Sequence, residues 1–138
     1  MRNEKAKMIL VSSVDYDQLD ALLRDETARK TTTRERIVAL RRRLQQARIL
    51  APSELPEDVV RMNSRVQLRD LGTDETAVFS LVYPALANGR QRRLSVLAPL
   101  GTAILGRRAG DLLTWEMRIG SLRLKMENVA FLREGIAI

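Results

Sequence analysis

The hydrophobic spacing changes once along this chain, and the change falls at a pair of prolines. Before Pro52, apolar residues recur at intervals of three and four; beyond Pro56 they alternate or gather in short β-rich runs. Such a chain is expected to form helices first and a sheet second, an α+β arrangement without repeated βαβ units. Ala51-Pro52-Ser53-Glu54-Leu55-Pro56-Glu57-Asp58 stops a helix and stiffens the passage. It marks the boundary between a helical part, residues 1–50, and a second domain, residues 51–138.

Met8-Ile-Leu-Val11 reads as a short strand or extended lead-in. Ser13 is placed to cap a helix from Val14, because its hydroxyl accepts a bond from a first-turn amide. Asp15 and Asp17 suit the positive end of that helix dipole. Leu19, Leu22 and Leu23 form one apolar stripe, and Asp25 lies near the end. The stretch Glu26–Thr32 has no apolar period and reads as a connection. Thr32 and Glu35 fit a capping box for a second helix with Ile37, Leu40, Leu44 and Ala47 on its apolar side. At about 15 residues this helix is ~22 Å long. The two are expected to form a short antiparallel hairpin that leans on the following domain, since helices of this length are marginal alone.

In the second part, Val66–Arg69, Thr76–Tyr83, Arg92–Leu97, Leu112–Glu116 and Leu122–Phe131 read as strands, giving an antiparallel sheet of about five. Val78 and Val82 are expected on one face of their strand, with Phe79, Leu81 and Tyr83 on the other. Leu122, Leu124, Met126 and Asn128 alternate with Arg123, Lys125 and Glu127, the pattern of a sheet with one wet face. Ala98–Gly106 suits one or two helical turns closed by Gly106.

Cysteine and histidine are both absent, which removes disulfides, thiol nucleophiles, imidazole bases and the usual zinc ligands together. No Gly-rich phosphate loop occurs, and neither a cofactor nor a metal is expected. No run of about 18 apolar residues predicts a membrane helix. The charged start followed by four apolar residues is too short for a signal peptide, so a cytoplasmic protein is expected. The net charge of +7 comes mostly from arginine and points to an acidic partner or to solubility. Aromatic residues make up only 4%, too few for a base-stacking platform.

Leu97-Ala-Pro-Leu-Gly-Thr-Ala-Ile-Leu-Gly-Arg-Arg-Ala-Gly-Asp111 resembles the Ser-Pro-x-Gly-x-Ala-Leu-Leu-Gly-x-x-x-Gly-Asp pattern of the Gre transcript-cleavage factors. Met62-Asn-Ser-Arg-Val66, Leu81-Val-Tyr-Pro-Ala85, Leu94-Ser-Val-Leu-Ala-Pro-Leu-Gly101 and Trp115-Glu116 make the chain similar to the Gre-related regulator of nucleoside diphosphate kinase family. The resemblance covers roughly residues 50–120. It implies a domain similar to FK506-binding proteins and a partner, RNA polymerase, held at the rim of its secondary channel with the hairpin directed inward. It nominates Pro99, with Leu100, Arg107 and Arg108, as polymerase-binding residues. Ala98 replaces the family's serine, so any role of that hydroxyl is lost.

The same resemblance directs attention to the hairpin tip, where Gre factors place acidic side chains beside the polymerase magnesium. Asp25 and Glu26 lie there, but so do Arg29 and Lys30, which oppose a divalent cation. Arms of ~17–22 Å also fall short of the Gre arms. A non-catalytic regulator that competes with Gre-type factors is therefore expected. The alternative is nucleic-acid binding through Arg34, Arg36, Arg41, Arg42, Arg43 and Arg48 on phosphates. Consecutive arginines point in different directions around a helix, which weakens it. Prolyl isomerisation, suggested by fold alone, lacks an aromatic-lined pocket and has little support.

Independently of the resemblance, Gly101, Gly106 and Gly110 suit tight backbone positions, and Asp111 suits a turn where it accepts local amides.

Overall fold

The computed structural model describes residues 8–131; the outer ends of both expected domains, 1–7 and 132–138, lie outside the described residues. Strand β1 (Leu10–Ser12) runs directly into α1 (Ser13–Arg24). Ser12, not Ser13, caps α1: its Oγ accepts from the Asp15 amide at 3.0 Å. Ser12 keeps the extended backbone of the strand (φ −71°, ψ 151°), which a cap needs, whereas Ser13 is already helical.

The expected connection contains a short helix, α2 (Glu26–Lys30). Asp25 ends α1 and starts α2, its Oδ2 accepting from the Ala28 amide at 2.8 Å. Helix α3 (Arg34–Gln45) follows, capped by Thr33 and not by the expected Thr32–Glu35 box. Thr33 is the extended residue, and its Oγ1 accepts from the Arg36 amide at 3.2 Å. With 12 residues each, α1 and α3 are about 18 Å long.

Strand β2 (Arg48–Leu50) then pairs in parallel with β1, Val11 lying opposite Ile49. The helices are thus bracketed by two strands, and the other edge of β1 is held by Leu10 N–H donating to Gly106 O at 3.2 Å. Leu19, Leu23, Ile37, Leu40 and Leu44 are buried in the same apolar cluster as Val60, Met62, Leu97, Ile104 and Leu105. The helical segment shares its core with the rest of the protein, so most of its stabilisation comes from that packing.

The main sheet has the order β5-β4-β3-β7-β6: β3 Ser64–Asp70, β4 Thr76–Val82, β5 Arg93–Ser95, β6 Leu112–Met117 and β7 Gly120–Phe131. It departs from the all-antiparallel expectation at β5, which is parallel to β4. A 3-10 turn at Pro84–Leu86 and the tight turn closed by Asn88 and Arg93 reverse the chain twice, so it returns in its original direction.

Along β7, Leu124 and Met126 are buried and Leu122 packs on the core, as the alternation predicts. Asn128 does not join them. Gln67 pairs with Asn128 but Leu68 pairs with Met126, leaving Glu127 as the extra residue of a bulge. The bulge reverses the phase, so Asn128 is exposed and Val129 turns to the core. On β4, Val78 is exposed whereas Val82 is buried, because the end of β4 is covered on both faces. Helix α4 (Pro99–Ile104) crosses between β5 and β6.

Candidate partner-binding surface

Pro99 occupies the first turn of α4, where its fixed φ suits a helix start and its missing N–H is not needed. The helix sits tight against the turn before it. A Cβ on Gly101 would lie 2.1 Å from the Ser95 carbonyl oxygen. Thr102 Oγ1, buried, donates to Val96 O at 2.6 Å. These contacts hold the inner face of α4 down and leave Pro99 exposed and Leu100 half-buried on the core.

The far end of α4 is closed by two arginines. Arg43 reaches from α3: Nε donates to Leu105 O at 3.1 Å, and Nη2 donates to Leu105 O at 2.9 Å and Ala103 O at 2.8 Å. Arg107 Nε donates to Ala103 O at 2.8 Å. Cations here satisfy orphan carbonyls and complement the negative end of the helix. Burial, and secondarily the Arg107 guanidinium, pull Arg43 down to about 10, so it stays charged at neutral pH. Arg43 is therefore not among the exposed arginines that the phosphate-contact expectation required.

Beyond the helix Gly106 adopts φ +85°; its carbonyl closes on β1 by accepting from Leu10 N–H at 3.2 Å, and its N–H donates to Val60 O at 2.9 Å. Arg108 is exposed, but its Nε and Nη2 donate to Asp58 Oδ1 at 3.2 and 2.9 Å. The Arg108 amide donates to Asp111 Oδ2 at 2.9 Å, the local role expected of that carboxylate, and Gly110 supplies a positive φ of +92°.

The four nominated residues thus sit at opposite ends of one short helix. Pro99 and Leu100 lie at its start; Arg107 and Arg108 lie past its end and are engaged within the chain. Pro99 instead shares a groove of about 390 Å³ with Leu97, Ala103 and, from α3, Glu35, Arg36 and Ala39. Sequence reasoning missed the α3 side of this groove. The signal was small Ala39 on an otherwise charged helical face that also carries Arg43 four residues on.

Asp25, Glu26, Arg29 and Lys30 are all exposed on or beside α2, and the Asp25 carboxylate is occupied by its capping bond. Among the described residues no group of three or more His, Cys, Asp or Glu is placed to hold a metal ion. No described helix is long and apolar enough to cross a membrane.

The helices are fastened to the sheet by polar contacts as well as by the core. Asp15 Oδ2 accepts from the Met62 amide at 3.0 Å, and Tyr83 Oη donates to Gln18 Oε1 at 2.8 Å. Burial raises the Asp15 carboxyl above its ordinary range, against the pull of the Met62 amide and the Arg61 charge. A raised carboxylate binds its proton more tightly folded than unfolded, so its contribution to stability grows as pH falls through the raised value towards the ordinary one. Wild type is thus expected to gain stability relative to Asp15→Asn on acidification across that interval, read by denaturation midpoints. Asp15→Ala should lose about 1–3 kcal/mol at neutral pH by unpairing the Met62 amide.

Residues 55–131 match the family model described as transcription elongation factor, GreA/GreB, C-term. The chain is 39% identical over 109 residues to the regulator of nucleoside diphosphate kinase of Escherichia coli (strain K12), covering 79% of this chain and 78% of that protein. It is 34% identical over 79 residues to transcription elongation factor GreA of Clostridium beijerinckii, matching 57% of this chain and 49% of that one. A solved structure of prokaryotic transcription elongation factor GreA/GreB from Nitrosomonas europaea superposes with a TM-score of 0.73 at 32% identity, over 91% of this chain and 99% of that one.

Proposed function

Because the chain belongs to the GreA/GreB family of transcription elongation factors, we propose that it is a non-catalytic transcription regulator that binds RNA polymerase near the secondary channel and competes there with Gre-type factors. The reading rests on one observation above all: the family's Pro-x-Gly turn presents exposed Pro99 beside an apolar groove, while every buried part of that turn is committed to packing. On this reading residues 51–138, a unit similar to FK506-binding proteins, grip the polymerase and residues 1–50 form the arm.

Two features support a tip without chemistry of its own. The Asp25 carboxylate is occupied by the Ala28 amide, and Arg29 and Lys30 follow within the same short helix. Arms of 12 residues, about 18 Å, are also short for reaching an enclosed active centre.

Retention of the chain by purified core polymerase at low salt is the expected result. Pro99→Glu should weaken that retention roughly tenfold while leaving the fold intact, since an acidic residue suits the first helical turn. In the same system the chain should inhibit Gre-stimulated cleavage of backtracked transcripts and stimulate none itself. No retention would sink the proposal. Cleavage by the chain alone, lost in Asp25→Ala with Glu26→Ala, would overturn the inert tip. The nucleic-acid alternative predicts instead a DNA mobility shift that falls steeply with salt.

A further inference from the structure

The helical segment carries a second groove, of about 440 Å³, lined by Arg29 of α2 and by Arg34, Ile37, Val38 and Arg41 of α3. Residues 34, 37, 38 and 41 follow the spacing of a single helical face. Ile37 faces inward and is buried, whereas Val38 is 42% exposed between the two arginines. Arg43, Arg69 and Arg108 each bond a carbonyl or a carboxylate. Among the described residues Arg29, Arg34 and Arg41 have no such partner. Three uncompensated guanidinium groups around an apolar strip make a surface complementary to negative charge.

We propose that this groove docks an acidic protein segment carrying an apolar side chain between its carboxylates. Guanidinium forks donate to carboxylate and phosphate alike, so charge does not choose between protein and nucleic acid. The rest of the lining does. Val38 offers an exposed apolar contact that a phosphodiester backbone has nothing to cover, and no aromatic side chain lines the groove to stack a base. Spacing adds to this: Arg34 and Arg41 lie seven helical positions apart, a rise of about 10 Å, which a peptide in the polyproline II conformation, whose side chains return to the same face every third residue, spans in about three residues. Two carboxylates three residues apart, with an apolar residue between, fit the groove. The inference stands apart from the polymerase reading, since a peptide tests it without polymerase.

Fluorescence anisotropy of the full chain with a labelled extended peptide, bearing glutamates three apart and leucines between them, provides that test. Binding is expected at low salt, about tenfold weaker for Arg34→Ala with Arg41→Ala and at least as much weaker for Val38→Asp. Arg42→Ala, exposed but outside the groove, should change nothing, and all variants should keep the wild-type melting curve. A control peptide with serine in place of leucine, equal in charge, should bind several-fold more weakly. Equal binding of the two peptides, indifference to the double substitution, or no peptide binding at low salt would overturn the proposal. So would tighter binding of an RNA oligonucleotide of the same charge that is lost on the same substitutions.

Discussion

Gly101→Ala is expected to lower stability by about 3–5 kcal/mol, the largest loss from a methyl added at any glycine among the described residues. The added Cβ would stand 2.1 Å from Ser95 O, 3.0 Å from Ser95 C and 3.1 Å from Val96 Cα. All three are backbone atoms of the preceding turn, so no side-chain rotation relieves the overlap. Helix α4 must lift, and lifting it breaks the buried bond from Thr102 to Val96 and pulls Gly106 from the edge of β1. Gly106→Ala should cost less, about 1–2 kcal/mol: it combines φ +85° with a 2.9 Å approach to the Ile9 side chain. Gly89→Ala should be near neutral, since nothing lies within 4 Å of its added carbon. Urea melts of the three variants should give that order. A Gly101→Ala unfolding free energy within about 1 kcal/mol of wild type would show that α4 is not held by this contact. Domains of this size have only about 5–15 kcal/mol in hand, so the variant should also lose much of its partner binding near physiological temperature.

The three motif glycines were legible because a tight approach or a positive φ leaves few other choices of residue. The helix faces were legible for a similar reason: Leu19, Leu23, Ile37, Leu40 and Leu44 carry the helical period, and burial of one face demands it. Helix α2 was missed although a signal existed. Asp25 capping a run of Glu, Ala, Arg and Lys is favourable local chemistry, but a helix without an apolar face leaves no periodicity. Three other features are set by distant partners. Arg48-Ile49-Leu50 becomes a strand only because β1 lies beside it, and Ile49 remains 40% exposed. The bulge at Glu127 depends on the register with β3, so Asn128 and Val129 exchanged roles. The groove beside Pro99 needs α3 laid against α4, which no local pattern announces.

Arg43 is the clearest of these tertiary effects, and its replacement is the second large loss expected. In the sequence it is the last of three arginines and looks like its neighbours, yet Arg41 and Arg42 are exposed while Arg43 closes α4. Arg43→Met keeps most of the apolar stem and removes the fork. Ala103 O retains the bond from Arg107, but Leu105 O loses both donors from Arg43, and Leu105 is fully buried. Stripping a buried carbonyl of its donors costs about 2–3 kcal/mol. Arg43→Lys should recover only part of this, because one ammonium does not reproduce a fork that bridges two carbonyls. Arg43→Met with Arg107→Met should exceed the sum of the single losses, since only the pair leaves Ala103 O bare. The same contact ties α3 to α4 at Ala103, which lines the Pro99 groove. If the chain binds polymerase as proposed, Arg43→Met should therefore weaken retention by core polymerase even at a temperature where the variant is fully folded. Wild-type retention by a destabilised Arg43→Met would mean that the groove forms without the arginine, and that α3 is held to α4 by its apolar residues alone.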